Sequence, residues 1–427
     1  VSGAVSGALS PAPTLDEARV LIEWLVRVGE RNIDRGATQA SRAEVIALRR
    51  ERDRAQNMLR QVTDGPSFRL GRALTLLPRK ARALVRPPRK RSGASRNEDA
   101  TAPPPPLRAP ADRPPPKRAV APDVSFVVPV FNSAVWLDDC LSSVLAQTGV
   151  SLEVICINDG SSDSSLEVLE RYADADPRVT VIDQPNSGQS VGRNQGLDIA
   201  AGRYVIYLDS DDYWPHDALS KLVSHADSDD LDMLLFDCAA FLDGDVDEKT
   251  WRWYSTYYQR AQEYRKVRSG AELMVDMRRN KEYRPHVGLY MARRSFVERS
   301  GVRFIPGIVH QDNPYTFRLL LNADRAAHER VNAYARRIRP DSTITTLTAD
   351  RSARGYFLSY LEMTRELETG AHPIASPEIV RNIVDSVYEG ARKQFALISE
   401  TTRQELQALD SGADAQVVFD SLVNDQR

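Results

Sequence analysis

The chain has 427 residues and a formal net charge of −2, from 57 Lys and Arg and 59 Asp and Glu. This balance hides a division, because residues 1–122 carry 24 basic and 12 acidic side chains and residues 123–427 carry 33 and 47. No run of about 18 apolar residues is present, which excludes a membrane-spanning helix. The first 13 residues lack the basic start of a signal peptide. Three cysteines in apolar surroundings (Cys140, Cys156 and Cys238) predict buried thiols in a reducing compartment.

Residues 14–62 are predicted to be helical. Thr14 and Glu17 have the spacing of a capping box. An incomplete apolar 3–4 repeat runs over Val45–Val62, which is compatible with a short coiled coil that pairs two copies of the chain. A helix docked on the body is the alternative, and residues 14–62 therefore predict either a homo-oligomer contact or an intramolecular one.

The next segment, residues 65–97, contains ten Lys and Arg and no acidic residue, with leucines between them. Such a basic amphipathic segment can lie on an anionic membrane surface. A solvated basic linker is the alternative. We expect no nucleic-acid partner, because the body is acidic and no aromatic residues separate these arginines. Nine prolines within residues 101–122 predict a stiff spacer, so residues 65–122 form a linker that ends near Asp123.

After this boundary, apolar runs rich in β-branched residues alternate with segments of helical period. The predicted strands are Val124–Val130, Leu152–Ile157, Val179–Ile182 and Tyr204–Leu208. The predicted helices are Trp136–Gln147, Ser164–Ala173 and Ser190–Ala201. This alternation predicts an α/β fold with a parallel, doubly wound sheet, in which ligands bind at the carboxyl ends of the strands.

A polar loop follows each predicted strand. The four loops are Pro129–Asn132, Asn158–Asp163, Gln184–Gly188 and Asp209–Asp212. In the last loop Asp209 and Asp211 are separated by one residue, and two such carboxylates can share a hard divalent cation, Mg²⁺ or Mn²⁺. The sequence has neither a P-loop nor a Gly-x-Gly-x-x-Gly after the first strand, which disfavours nucleotide hydrolases and dinucleotide-dependent dehydrogenases.

Five ordered blocks resemble the family 2 glycosyltransferases of GT-A fold, of the type that makes bacterial cell-surface polysaccharides. They are Val127–Asn132, Cys140–Thr148, Glu153–Ser161, Asn186–Leu197 and Tyr207–Trp214. Weaker blocks between Gly288 and Ser342 resemble the acceptor side of the family. The resemblance covers residues 123–346 and implies a mostly parallel, mixed sheet flanked by helices. It leaves a helical C-terminal extension, residues 347–427, that could complete the acceptor site, form an oligomer contact or pack under the sheet.

The resemblance implies that a sugar moves from a nucleotide donor, preferably a UDP-sugar, to a hydroxyl of a glycan or lipid-linked acceptor with inversion. It implies that Asp209 and Asp211 hold Mg²⁺ or Mn²⁺, with Asp209 also in reach of the ribose. Further donor-binding residues are implied around the base, ribose and phosphates, namely Pro129, Phe131, Asp159 and Arg193. The family often has Tyr where this chain has Phe131, and Ala where it has Gly192. Arg337 and Arg339 either close over the diphosphate or form a solvated basic turn.

Inversion by a single displacement requires one carboxylate base on the face opposite the leaving group. Asp312 aligns with the Asp of the family's Glu-Asp pair, which here reads Gln311-Asp312. Since the substitution removes one like charge, it is expected to lower the pKa of Asp312. His310 either orients this loop, touches the ion or is a structural histidine, and it stays outside the catalytic set.

Several features of the body leave alternatives open. The aromatic run Trp251–Tyr258 could stack on a glycan acceptor or pack against the body. Residues 270–300 and 312–330 are predicted helices of the acceptor side, with a strand at Leu289–Met291. Gln311 in place of Glu also motivates a second function, a non-catalytic nucleotide-sugar-binding scaffold or sensor anchored by its basic arm. The predicted location is the cytoplasm, with or without peripheral attachment to the inner face of the cell membrane.

Overall fold

The structure is a computed structural model that describes residues 121–215, 218–340, 342, 346–369, 376–409 and 413–425. These residues belong to one compact unit. Two predicted segments lie outside the described residues, the helix at 14–62 and the basic segment at 65–97. The homo-oligomer contact of the first and the membrane contact of the second therefore stay predictions. None of the helices in the described part of the chain is long and apolar enough to cross a membrane.

A seven-stranded sheet forms the centre of the unit, with strand order β3-β2-β1-β4-β6-β5-β7. The strands are β1 Val124–Val130, β2 Leu152–Asp159, β3 Val179–Gln184, β4 Tyr204–Tyr207, β5 Met233–Leu242, β6 Tyr290–Arg293 and β7 Ala326–Ile338. Strands β1 to β4 pair in parallel, with Val124 opposite both Leu152 and Tyr204. Every residue of β1 and β2 is buried, as expected for a parallel sheet covered by helices on both faces.

The second half of the sheet makes it mixed. Strand β6 runs antiparallel between β4 and β5, while β7 pairs in parallel with β5. The strand predicted at Leu289–Met291 is therefore present as β6. The sequence analysis did not assign β5 or β7. The mostly parallel, mixed sheet that the resemblance implied is confirmed.

The described residues contain twelve α-helices. They are α1 Ala134–Leu145, α2 Ser165–Ala175, α3 Gln189–Ile199, α4 Leu219–Ser228, α5 Glu248–Tyr257, α6 Gly270–Arg279, α7 Arg294–Ser300, α8 Asp312–Asn322, α9 Ala349–Thr369, α10 Pro377–Phe395, α11 Glu400–Gln407 and α12 Ala413–Asn424. The helices predicted within 270–300 are present as α6 and α7 on either side of β6, although residues 280–286 form no helix. The prediction over 312–330 was too long, because β7 begins at Ala326.

The C-terminal helices share a core with the body. Met363 of α9 and Val380, Ile383 and Val387 of α10 lie in the same buried cluster as Leu273 of α6. Of the three roles left open for the C-terminal extension, packing against the body is therefore observed for α9 and α10. The division of the chain into separate segments at residues 64, 122 and 346 stays a prediction.

Candidate functional site

A cavity of about 710 Å³ opens at the carboxyl ends of β1, β2 and β4. All the residues that the sequence analysis assigned to donor, metal or catalysis line it, namely Pro129, Phe131, Asp159, Arg193, Asp209, Asp211, Asp312, Arg337 and Arg339. Strand ends of a parallel sheet meet at one edge, which explains how loops from four separate parts of the chain reach one cavity. The individual roles of these residues stay predictions.

The loop after β4, which carries Asp209 and Asp211, is fastened by β7. Tyr213 exchanges two backbone hydrogen bonds with Ala335, at 3.1 and 3.0 Å. The buried carboxylate of Asp212 accepts hydrogen bonds from the Tyr334 hydroxyl and from the Arg337 backbone N–H, both at 2.6 Å. Asp212 therefore joins the loop to β7.

Arg337 belongs to the same fastening. Its side chain is only 4% exposed and lies between Asp243, at 2.7 Å, and Asp139, at 3.3 Å. Its Nε donates to the Asp211 carbonyl oxygen at 2.7 Å. The alternative of a solvated basic turn is wrong for Arg337, because this residue is buried within a strand. Its guanidinium therefore stabilises the loop after β4 that carries Asp209 and Asp211, which we call the metal-motif loop.

Arg193 of α3 links the metal motif to the predicted base. Its guanidinium is 2% exposed and donates to Asp209 Oδ1 at 2.7 Å, and it lies 3.6 Å from Asp312 Oδ1. Burial works to raise the pKa of Asp209, but the charges of Arg193, His286 and Arg336 together hold that pKa below its usual value. Asp209 is therefore a carboxylate at neutral pH, with one oxygen engaged by Arg193.

Asp211 is held by Arg339. The guanidinium donates to Asp211 Oδ2 through Nε at 2.9 Å and through Nη2 at 2.8 Å, and it stacks over the Trp136 ring at 3.9 Å. Within the described residues no group of three or more His, Cys, Asp and Glu converges as a metal cage. The donor set nevertheless fits Mg²⁺ or Mn²⁺, because such ions use one or two carboxylates and complete their shell with phosphate and water.

Two residues define the wall expected to meet the nucleoside. Phe131 is 49% exposed, so its ring is free to pack on a base. Asp159 is buried, and its carboxylate accepts from Gln184 Nε2 at 2.7 Å and from the backbone N–H groups of Ser187 and Gly188 at 2.7 and 2.8 Å. Three of its roughly four acceptor positions are therefore used inside the chain, which leaves about one for a donor substrate.

Asp312 is the first residue of α8 and follows a loop held by α9. The His310 ring stacks on Tyr356 at 3.9 Å between centroids, and its Nε2 lies 2.8 Å from Ser352 Oγ. Gly355 lets α9 approach the loop, because a Cβ there would meet the Val309 carbonyl oxygen at 2.3 Å. The C-terminal extension therefore positions the loop that bears Asp312, and His310 acts in that packing.

Burial raises the pKa of Asp312 above its usual value, and the charge of Arg193 only partly opposes this. The expected lowering from Gln311 is thus outweighed by desolvation. Gln311 itself is buried, and with its amide oriented to satisfy its neighbours it accepts from Arg193 Nη1 and donates to the Ile308 carbonyl, both at 3.0 Å. A neutral side chain therefore contacts the guanidinium that lies between Asp209 and Asp312.

The cavity also contains residues outside the set predicted for the donor, the metal and catalysis. Arg336 is in contact with His286, and both line the cavity. One face of α5, at Trp253 and Tyr257, and the start of α9 form further walls. Arg336 lies beside the two predicted arginines in the sequence, and that adjacency is a signal that could have found it. Completion of the acceptor site was one of the three roles left open for the C-terminal extension, but no motif singled out α9 for that role.

Comparisons with known proteins agree with this geometry. A family model described as Glycosyl transferase family 2 matches residues 125–297. The chain is 30% identical over 245 residues to the uncharacterized glycosyltransferase YibD of Escherichia coli (strain K12), covering 57% of this chain and 70% of YibD. It is 31% identical over 224 residues to the uncharacterized glycosyltransferase EpsJ of Bacillus subtilis (strain 168), covering 52% of this chain and 62% of EpsJ. Residues 1–349 of S. aureus TarS in complex with UDP share the fold, with a TM-score of 0.50 and 18% identity over 71% of this chain and 88% of that chain.

Proposed function

Because the chain belongs to glycosyltransferase family 2 and is a glycosyltransferase, we propose that it transfers a sugar from a nucleoside-diphosphate donor to a hydroxyl acceptor in polysaccharide synthesis. One observation carries the proposal furthest. The metal motif and the predicted base line one cavity and are joined through Arg193, 2.7 Å from Asp209 and 3.6 Å from Asp312. A donor diphosphate at one end and an acceptor hydroxyl at the other would meet between them.

The donor would bind along the loops after β1, β2 and β4. Phe131 offers an exposed ring to the base, and Asp159 orders the loop at Ser187–Gly188 beside it. Arg336 and Arg339 supply positive charge where the diphosphate would lie, while Arg337 holds the loop from behind. A UDP-sugar is the first donor to test, since the structural neighbour of the same fold was crystallised with UDP.

Asp209 and Asp211 would hold Mg²⁺ or Mn²⁺ together with the diphosphate oxygens. When bound, such an ion neutralises the negative charge that develops on the departing nucleoside diphosphate. Arg339 contacts Oδ2 of Asp211, so an ion held through that oxygen would displace the guanidinium, which would then be available to the phosphates.

Asp312 would act as the general base. Its carboxylate accepts the proton of the acceptor hydroxyl while that oxygen bonds to the anomeric carbon and the bond to the diphosphate breaks. A single displacement of this kind inverts the anomeric centre. Burial raises the pKa of Asp312, which makes its carboxylate a stronger base than a solvent-exposed aspartate and favours proton transfer.

The test is release of nucleoside diphosphate from a panel of UDP-, GDP- and dTDP-sugars, with Mg²⁺ or Mn²⁺ and with a chelator. The expected result is metal-dependent release by the wild type and none by Asp312→Asn with acceptor present. Binding of a nucleotide sugar without release on any acceptor pool would instead support the sensor alternative that Gln311 suggests. Release that a chelator leaves unchanged would refute the metal role.

The location of the protein is a second proposal. A basic segment at residues 65–97, tethered by a Pro-rich spacer, would hold the acidic body at the inner face of a membrane that carries the acceptor. The full chain should then cosediment with anionic vesicles and not with neutral ones, and the difference should vanish at high salt. Equal recovery in the supernatant with both vesicles would refute membrane attachment.

A further inference from the structure

Helix α5 turns one of its faces to the cavity. Thr250, Trp253, Tyr254 and Tyr257 follow one another at spacings of three, one and three residues, which places them on a single helical face, and all four line the cavity. No residue of α5 is buried, although the helix is rich in aromatic side chains. Tyr254 and Tyr257 pack partly against the core, whereas Trp253 leaves most of its surface exposed.

The aromatic rings of this face are braced against each other. The Trp253 indole stacks on Tyr257, with 5.4 Å between centroids and 28° between planes, and Trp253 is 62% exposed. Arg284 lies 4.6 Å from the centre of the Tyr257 ring, and Tyr258 meets that ring edge-on at 4.9 Å. A braced ring with a free face loses little conformational freedom when a ligand covers it.

The start of α9 forms another wall of the same cavity. Arg351, Arg354 and Tyr356 line it. Burial raises the pKa of Tyr356, and the neighbouring phenols of Tyr257 and Tyr254 add to that rise, so the two walls are close enough for their groups to interact. The acceptor-side cleft therefore lies between α5 and α9.

The charge of this cleft differs from that of the donor end. The described cavity lining contributed by α5 and by residues 347–356 contains no acidic side chain, whereas the donor end contains Asp159, Asp209 and Asp211. Arg354 has only a distant partner, Glu405 at 3.9 Å. Among the described side chains none forms an ion pair with Arg351. The cleft therefore offers a cationic wall and an aromatic wall without a carboxylate between them.

We propose that the cleft between α5 and α9 binds an anionic saccharide acceptor, which stacks a sugar ring on Trp253 and places a phosphate or carboxylate against Arg351 and Arg354. This inference rests on the proposed function and names its acceptor. The apolar face of a sugar ring can pack on an exposed indole. The guanidinium groups of Arg351 and Arg354 can each bind a phosphate or carboxylate through two parallel hydrogen bonds. The acceptor hydroxyl would reach Asp312, since the loop at Gly307–Asn313 lines the same cavity.

The experiment compares three acceptors that share one oligosaccharide: neutral, with a terminal uronate, and with a terminal phosphate. The wild type is expected to use one or both anionic forms with a kcat/KM about tenfold above the neutral form. Trp253→Ala should raise the acceptor KM about tenfold. Trp251→Ala, which removes an indole of α5 that does not line the cavity, is the matched control.

Arg351→Gln should abolish the preference for the anionic acceptors, whereas Arg381→Gln, on the exposed surface of α10, should keep it. The uronate and phosphate arms identify which anion is used. An equal kcat/KM for neutral and anionic acceptors would overturn the proposal. An unchanged acceptor KM in Trp253→Ala would also overturn it, as would a Trp253→Ala effect confined to binding of lipid vesicles.

A binding readout separates this proposal from the proposed function. If the wild type releases no nucleoside diphosphate from any donor, the proposed function fails while the cleft can still be tested. Quenching of tryptophan fluorescence by the anionic oligosaccharide should be seen in the wild type and Trp251→Phe, and be lost in Trp253→Phe. Equal quenching in all three proteins would overturn the cleft as a saccharide site.

Discussion

Two nitrogens of Arg339 contact one oxygen of Asp211, with Nε at 2.9 Å and Nη2 at 2.8 Å from Oδ2. The carboxylate expected to bind a divalent cation is thus paired with an arginine. The pair keeps the Asp211 charge balanced beside Asp209 and Asp212. It also makes binding of the ion and movement of Arg339 two parts of one exchange.

Replacing Arg339 with Gln should separate the two parts of this exchange. Because Asp211 loses its competitor, Mn²⁺ should bind more tightly to the donor-free protein, as measured by calorimetry. Because a charged contact to the diphosphate is lost, the donor KM should rise about tenfold or more. Arg381→Gln, on the α10 surface, controls for loss of a positive charge. Unchanged values of both quantities in Arg339→Gln would contradict the exchange.

Asp312→Asn should lower the rate of transfer about 10²- to 10⁴-fold, because the amide cannot accept the acceptor proton as a base. Donor affinity, measured by calorimetry with a nucleotide sugar, should stay within about twofold, since Asp312 lies on the acceptor side. Asp385→Asn, an exposed carboxylate of α10, is the control. A transfer rate near that of the wild type would rule out Asp312 as the base.

Gln311→Glu should move the acidic limb of the pH profile of kcat/KM upward. Burial already raises the pKa of Asp312, and a second carboxylate beside Arg193 would raise it further. Activity below the limb is lost because the base is protonated there. Gln311→Leu removes the amide without adding charge and should leave the limb in place. An identical limb in Gln311→Glu would show that Gln311 does not act on Asp312.

His310 should make the stability of the folded protein depend on pH between about 4 and 6.5. Burial lowers its pKa to about 4, whereas the unfolded chain titrates near 6.5. In that interval the unfolded state binds the proton and the folded state does not, so stability falls as the pH falls. His310→Gln should remove up to about 3 kcal/mol of this dependence. Denaturant titrations at pH 4.5, 5.5 and 7 would measure it, and parallel curves for both proteins would contradict it.

Two glycines inside helices should respond oppositely to alanine. Gly192→Ala in α3 puts a methyl at an ordinary contact distance, 3.4 Å from Ile157, and should stabilise by about 0.5–1 kcal/mol. Gly355→Ala in α9 would meet the Val309 carbonyl oxygen, so it should destabilise by about 1–3 kcal/mol and lower the rate of transfer. Thermal unfolding and transfer assays on both variants test this. A neutral Gly355→Ala would mean that α9 does not fix the loop.

The donor half could be predicted because its signals are local. Strands β1 to β3 are short apolar runs that end in polar loops, and the predicted and observed spans differ by at most two residues at any end. Parallel pairing then brings their carboxyl ends together without further information. The donor half of the sheet, and the residues that its loops bring to the cavity, could therefore be predicted from the sequence.

The acceptor half could not be predicted in the same way. Strand β7 carries four basic or imidazole side chains within thirteen residues, namely His328, Arg330, Arg336 and Arg337. Its composition therefore does not predict a strand, because packing against neighbouring strands stabilises it more than the preferences of its own side chains. The role of α9 depends on the surface against which this helix packs after the chain turns. The sequence of α9 predicts that it has an apolar face, but not which surface that face covers. The burial that decides the pKa of Asp312 is likewise a property of the assembled cavity.

The pairing of Tyr213 with Ala335 also has a consequence for synthesis of the protein. Translation delivers β1 to β4 and the metal-motif loop first, but the strand that fastens this loop is made more than a hundred residues later. A nascent chain that ends before residue 326 would contain all five blocks of the resemblance and lack the partner of that loop. The predicted donor site is therefore expected to be complete only late in synthesis, once β7 has left the ribosome and joined the edge of the sheet.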